Sequence, residues 1–232
     1  MTQPGRLTAR PSSPGPDAAS PGAPGPDATG PSAPAGVHRL DAGALLVVPP
    51  ALTGPAPLLV FFHGAGGSAD DSLRLVSSLG AERGALLLLP SSRAATWDLL
   101  TRRLGPDVTA LDRALIEVFG QSPVDRVAFG GFSDGASYAL SLGLANGDLA
   151  DTVLAFSPGF AAPPDQVGQP RVWVSHGVRD EVLPVDPCGR RVVRTLRGAG
   201  YEVVYEEFDG GHVVTPGLLG SAADFWLDAA TS

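Results

Sequence analysis

The 232-residue chain holds one cysteine, Cys188, so no intrachain disulfide can form. No partner pattern for a thiol nucleophile surrounds it, and with Gly189 it sits where a helix is expected to start. No apolar run reaches the ~20 residues needed to span a bilayer. The amino terminus has no hydrophobic h-region, hence no secretory signal, and a cytoplasmic location is the expectation. Basic blocks are missing too: 16 basic against 24 acidic residues leave a net charge of −8. Nucleic acid and anionic membranes are therefore poor partners. Arg190, Arg191, Arg194 and Arg197 fall at helical spacing and read as a solvated helix face.

Large apolar side chains are scarce in one region only. Residues 1–36 carry nine of the 23 prolines and six of the 30 glycines, and after Met1 the only large aliphatic is Leu7. The pentapeptide PGPDA occurs at 14–18 and again at 24–28. Such a stretch buries too little apolar surface to offset the entropy of ordering, so 1–36 is expected to be a disordered tail. Residues 37–232 suffice for one sizeable domain.

Within that domain short apolar runs alternate with amphipathic segments. Strands are expected at 43–48, 57–62, 85–89, 125–130, 151–156, 171–176 and 201–206. Helices are expected near 69–82, 107–119, 134–146, 187–199 and 216–230, with Asp107 placed to cap the second. Most strands read as continuous apolar runs, the mark of strands covered on both faces. The alternation predicts an α/β fold, a mostly parallel sheet with helices on both sides and chemistry at the carboxyl ends of the strands. Segments 91–106 and 157–170 are too short for a cap domain.

Three strand ends carry reactive residue types. Gly131-Phe132-Ser133-Asp134-Gly135 lies between the strand 125–130 and the next helix, the context a nucleophile elbow requires. The plainer reading is a glycine-rich turn with a capping serine. Of four histidines, His38 follows the tail, His63 and His176 end strands, and His212 follows the last strand. In hydrolases on such sheets the order is nucleophile, acid, histidine. Only His212 leaves room for an acid on a separate strand end. Asp180 is the choice for that acid, with Glu181 and Asp186 as rivals. An oxyanion hole needs the N–H after the nucleophile, Asp134, and one from an earlier loop. In His63-Gly64-Ala65-Gly66-Gly67 the second donor is Ala65 or Gly66, and His63 is expected to brace the loop.

Taken in order, LLVFFHGAGG, GFSDG, HGVRDEVLP and DGGH resemble the phospholipase/carboxylesterase family of small, capless α/β-hydrolases, neighbours of dienelactone hydrolases and acyl-protein thioesterases. The likeness covers residues 40–230. The family's His-Gly-x-x-Asp-x-Val-x-Pro pattern fits positions 176–184 and singles out Asp180. Two departures stand out: Asp134 replaces a frequent Gln, and the family's Gly-Asp after His-Gly-x is shifted here. The resemblance also places Trp97 either in a pocket wall or packed under its loop, with Phe132 and Leu183 as further wall candidates.

The resemblance implies a serine esterase that needs no metal or organic cofactor and acts on short-chain or exposed carboxylic esters. Ser133, His212 and Asp180 would form its triad. Thioesterase and lysophospholipase activities share that machinery. A non-catalytic binding module on the same fold is an alternative. A more distant one is an NADP protein, since residues 64–69 also fit Gly-x-Gly-x-x-Ala, with Arg93 as phosphate reader. The last helix or an edge strand could mediate a homodimer.

Overall fold

A computed structural model of the chain describes residues 5–11, 33–50, 52, 54–98 and 105–228. Among these residues eight strands form one sheet: β1 Gly36–Arg39, β2 Leu45–Val48, β3 Ala56–Phe62, β4 Leu86–Leu89, β5 Val124–Phe132, β6 Thr152–Phe156, β7 Arg171–Gly177 and β8 Val203–Phe208. Their spatial order is β1-β2-β4-β3-β5-β6-β7-β8. The β1/β2 and β2/β4 pairs are antiparallel, and every pair from β4 to β8 is parallel. Among the described residues four α-helices connect strands, α1 Ala69–Arg83, α2 Pro106–Gln121, α3 Asp134–Ala145 and α4 Arg191–Gly198, and a fifth, α5 Pro216–Leu227, follows β8.

The continuous apolar runs have a direct cause. Alternate residues of β3 and β4 feed two separate cores, Leu58, Val60, Phe62, Leu86 and Leu88 on one face and Leu59, Phe61, Leu87 and Leu89 on the other. The first face takes α2, α3 and α4 through Leu111, Leu115, Leu140, Val193 and Leu196. The second takes α1 and α5 through Val76, Leu79, Leu219 and Trp226. With no polar face to spare, these strands cannot alternate.

Four expectations need correction. Strand β1 falls at the junction of the expected tail and domain; it is a four-residue, mainly exposed edge strand without an apolar period. The π-type turn Asp186–Arg190 precedes α4, which therefore starts at Arg191. Asp107 does not cap α2: its carboxylate accepts the Arg93 and Asp98 N–H groups (2.9 Å each). Asp98 instead accepts from Gly105 and Asp107 N–H (3.1 and 2.8 Å) at the start of that helix. Finally, Gly5–Pro11 lies bound against α2 and the end of α3, although the whole span 1–36 reads as a tail. Residues 1–4 and 12–32, and the expected helix end at 229–230, lie outside the described residues.

Candidate active site

Strand β5 ends at Phe132, and the chain turns into α3 through a single residue. Ser133 has φ 60° and ψ −121°, a conformation essentially reserved for glycine. It persists because its surroundings over-determine it. The Ser133 N–H donates to Phe156 C=O at the end of β6 (2.9 Å), while its own C=O accepts from Ala136 and Ser137 (3.0 and 3.1 Å). The flanking glycines are there for space: a Cβ on Gly131 would overlap the Gly135 carbonyl, and one on Gly135 the Phe62 and His63 carbonyls. Ser133 Oγ caps nothing in its own helix and is left to point away from it.

His212 reaches that hydroxyl from the loop between β8 and α5. Its Nε2 lies 2.9 Å from Ser133 Oγ, and its Nδ1 lies 2.6 Å from Asp180 Oδ2. Asp180 stands just past β7, its side chain fully buried, and its Oδ1 accepts the Val182 and Leu183 N–H groups (3.0 and 2.8 Å). Burial pushes the Asp180 carboxyl up, but the Leu183 N–H, the imidazole and the Val182 N–H outweigh it and the net shift is downward. The two loops are stitched together. Val178 and Arg179 N–H donate to Phe208 and Gly210 C=O (3.0 and 2.9 Å), and the Arg179 guanidinium pairs with Asp209. A Cβ on Gly177 would overlap Gly210 and Gly211, so this close approach requires glycine.

The rivals stand elsewhere. Glu181 is exposed, Asp186 pairs with Arg190 (2.9 Å), and His38 bonds Pro34 C=O on the edge strand (2.6 Å). His176, set aside by chain order, is wholly buried behind Asp180, its Nε2 2.7 Å from Leu183 C=O and 3.4 Å from Asp180 Oδ2. Burial lowers its pKa, and the neutral ring braces the loop that presents the carboxylate. Its place at the end of β7 is the signal that marked it, yet sequence order speaks only to the base.

The earlier loop separates its two donor candidates. Gly66 N–H is bonded to Ala95 C=O (2.7 Å) and Gly67 N–H to Gly64 C=O (3.0 Å). The Ala65 N–H has no partner among the described residues. Gly64 packs against the serine, where an added Cβ would sit 3.4 Å from Ser133 Cβ. His63 holds the loop from beneath: Nδ1–H donates to Gly64 C=O (2.7 Å), and Nε2 accepts from Ser92 N–H (3.0 Å). Burial lowers its pKa, consistent with that neutral tautomer. Asp134 opens α3, so its N–H has no intrahelical partner, and its carboxylate accepts the Thr96 hydroxyl (2.7 Å). Thr96 has no motif around it to announce this contact.

Of the wall candidates, Trp97 belongs to the core. It is 1% exposed, stacks on Tyr138 (4.8 Å between centroids), meets Phe62 edge-on (5.1 Å) and donates Nε1–H to His63 C=O (2.9 Å). An indole so enclosed packs its loop onto the sheet. Phe132 lies against the His212 ring (4.7 Å), and Leu183 is half-buried beside Gly159. The dinucleotide reading fails on geometry. The Gly66 and Gly67 N–H groups are spent internally, and Ser68 with Asp70 and Asp71 caps α1 with acid where a phosphate would sit. No described helix is long and apolar enough to cross a membrane.

Neither protein-family models nor curated proteins give a match to the sequence. Solved structures do. A thermophilic esterase from Thermogutta terrifontis, solved with propionate bound, matches with TM-score 0.65 at 18% identity over 82% of this chain and 93% of its own. Esterase PE8 matches with TM-score 0.62 at 19% identity, covering 84% and 97%. A phospholipase/carboxylesterase from Dyadobacter fermentans matches with TM-score 0.58 at 18% identity, covering 79% and 95%. At such identities the likeness speaks to architecture, which agrees with the strand order and helix placement described above: the chain has the α/β-hydrolase fold.

Proposed function

We propose that the chain is a serine hydrolase of carboxylic esters, with Ser133 as nucleophile, His212 as general base and acid, and Asp180 as its orienting carboxylate. The observation that carries this reading is the unbroken relay from Ser133 Oγ to His212 Nε2 (2.9 Å) and from Nδ1 to Asp180 (2.6 Å), set on a strained elbow. Strain of ~1–3 kcal/mol at a single residue persists only where the surroundings over-determine it, and such residues cluster at active sites.

In this mechanism Ser133 Oγ attacks the ester carbonyl carbon while His212 Nε2 takes the hydroxyl proton. Asp180 accepts from Nδ1–H, holds the tautomer and stabilises the imidazolium. The developing oxyanion accepts from Ala65 N–H, which has no partner among the described residues, and from Asp134 N–H, which has none within its helix. His212 then protonates the departing alkoxide. Water, deprotonated by the same nitrogen, attacks the acyl-enzyme and releases the acid. Phe132, packed on the imidazole, is the wall candidate in contact with the triad. No cap covers the site among the described residues, which favours short-chain or exposed esters. Thioesters fit the same machinery.

A fluorophosphonate probe should label the wild-type chain at Ser133 and leave Ser133→Ala untouched. A screen of p-nitrophenyl esters of rising chain length, with an acyl-CoA included, should show a steep fall beyond short acyl groups. A wild-type chain that takes up no probe and turns over none of these esters would identify a non-catalytic binding module instead.

A further inference from the structure

Gly5–Pro11 lies in a span with tail-like composition, yet it is held along its length, chiefly by side chains of the body bonded to its main chain. Asn146, fully buried just past α3, donates Nδ2–H to Gly5 C=O and accepts Leu7 N–H at Oδ1 (2.9 Å each). Its second Nδ2–H goes to Leu142 C=O (2.9 Å), so this amide is fully used only with the segment in place. Asp112 on α2 takes the next turn of chain. Its Oδ1 accepts the Thr8 and Ala9 N–H groups (2.7 and 2.9 Å), and its Oδ2 the Thr8 hydroxyl (2.5 Å).

Side chains supply the selectivity. Leu7 and Ala9 are 2% and 3% exposed and join the core under α2 and α3. Arg6 binds Asp148 through both terminal nitrogens (2.8 Å each) and donates to Ala145 C=O (2.6 Å); Arg10 meets the same carboxylate (2.6 Å). Gly5 has φ +79°, and a Cβ there would press on the Pro164 ring, so only glycine fits.

Strands and helices satisfy their amides with their own kind of partner. Here a segment with no strand or helix of its own has its amides met by a buried amide and a carboxylate of the body, as in peptide recognition. We propose that the α2/α3 face carries a peptide-binding site, separate from the triad, whose ligand is a Gly-Arg-Leu-Thr-Ala-Arg-Pro segment, and that residues 5–11 of the same chain fill it. The site lies at the far end of α3 from Ser133, ~18 Å away for a helix of this length. Residues 12–32 join ligand to body in one covalent chain, so binding is intramolecular, which favours occupancy by the chain's own segment over a second copy.

The test uses the full chain. Hydrogen exchange should show the amides of Leu7, Thr8 and Ala9 protected in the wild type and exchanging at free-peptide rates in Leu7→Asp. A fluorescein-labelled peptide copying residues 5–11 should bind the Leu7→Asp chain, and bind the wild type roughly tenfold or more weakly because the resident segment competes. The same peptide with its leucine changed to aspartate should bind neither. If Leu7→Asp does not melt cooperatively, the double variant Arg6→Ala/Arg10→Ala leaves the groove intact, and the labelled peptide should displace its loosened segment at lower concentration. Free-peptide exchange of the three wild-type amides would overturn the proposal, as would no peptide binding to folded Leu7→Asp. Protection that fades on dilution together with a dimer in light scattering would replace the chain's own segment with that of a second copy.

Discussion

The two ends of helix α3 are built on opposite rules. At its start Ser133 is strained, its neighbours are glycines crowded against carbonyls, and its hydroxyl caps nothing in its own helix. Past its end Asn146 is buried and saturated with hydrogen bonds, two of them to the segment 5–11. The same helix thus carries strain where chemistry is proposed and satisfied hydrogen bonds where the chain is fastened. Sites of action are drawn from unsatisfied, over-determined positions, and sites of stability from satisfied ones. Mutations at the two ends should then separate activity from stability.

The largest effect belongs to the serine. Ser133→Ala should lower ester turnover by a factor on the order of 10³–10⁶ while the thermal midpoint stays within a few degrees of wild type. A variant that keeps its rate would move the nucleophile elsewhere. Next comes the scaffold of the elbow. Gly135→Ala forces a Cβ into the Phe62 and His63 carbonyls, which cannot swing aside as a side chain could. It should cost more than ~3 kcal/mol and be read as loss of soluble, cooperatively melting protein. Leu7→Ala follows, at ~2–4 kcal/mol, because it empties a core position. Below the melting range its ester turnover should equal the wild type, since the segment touches neither loop of the triad.

How much of this could be read beforehand follows the same division. The sheet was legible because strands buried on both faces write unbroken apolar runs, as LLVFF and ALLLL do. Ser133, Asp180 and His212 were legible because each follows a strand end in a fixed order. Gly66 and Trp97 were not resolved, since neither the Gly66–Ala95 hydrogen bond nor the Trp97–Tyr138 stack leaves a periodic trace. Residues 5–11 misled for a physical reason. Composition measures how much apolar surface a segment could bury, and one leucine is little. The docking rests instead on Asn146 and Asp112, side chains more than a hundred residues away that meet the segment's main chain. Strand β1 escaped in a similar way, being mainly exposed and held by the β2 ladder alone.

A smaller effect probes the strain itself. Glycine adopts φ 60°, ψ −121° without a Cβ clash, so Ser133→Gly should raise stability by ~1–2 kcal/mol while abolishing turnover. The elbow would then be a place where stability is given up for position. An unchanged or lowered midpoint in chemical denaturation would mean that Ser133 is held without strain.

The smallest effect lies at the other end and depends on pH. The Arg6 hydrogen bond holds the Asp148 carboxyl well below the usual carboxylate range, partly opposed by burial and reinforced by Arg10. The folded-state value lies below the unfolded one. The contact's stability is therefore fully present above the ordinary carboxylate pKa and is lost as pH falls through the folded value. Asp148 is about one-third exposed, so screening keeps the contribution within about 1 kcal/mol. The difference in midpoint between wild type and Asp148→Asn should be constant from pH 8 to about 5, shrink below about 4, and shrink again in high salt. A difference that widens on acidification would show the carboxylate to be a burden at that site. The two arginines would then hold the segment through Ala145 C=O and their own main-chain contacts, and the acid would merely lie nearby.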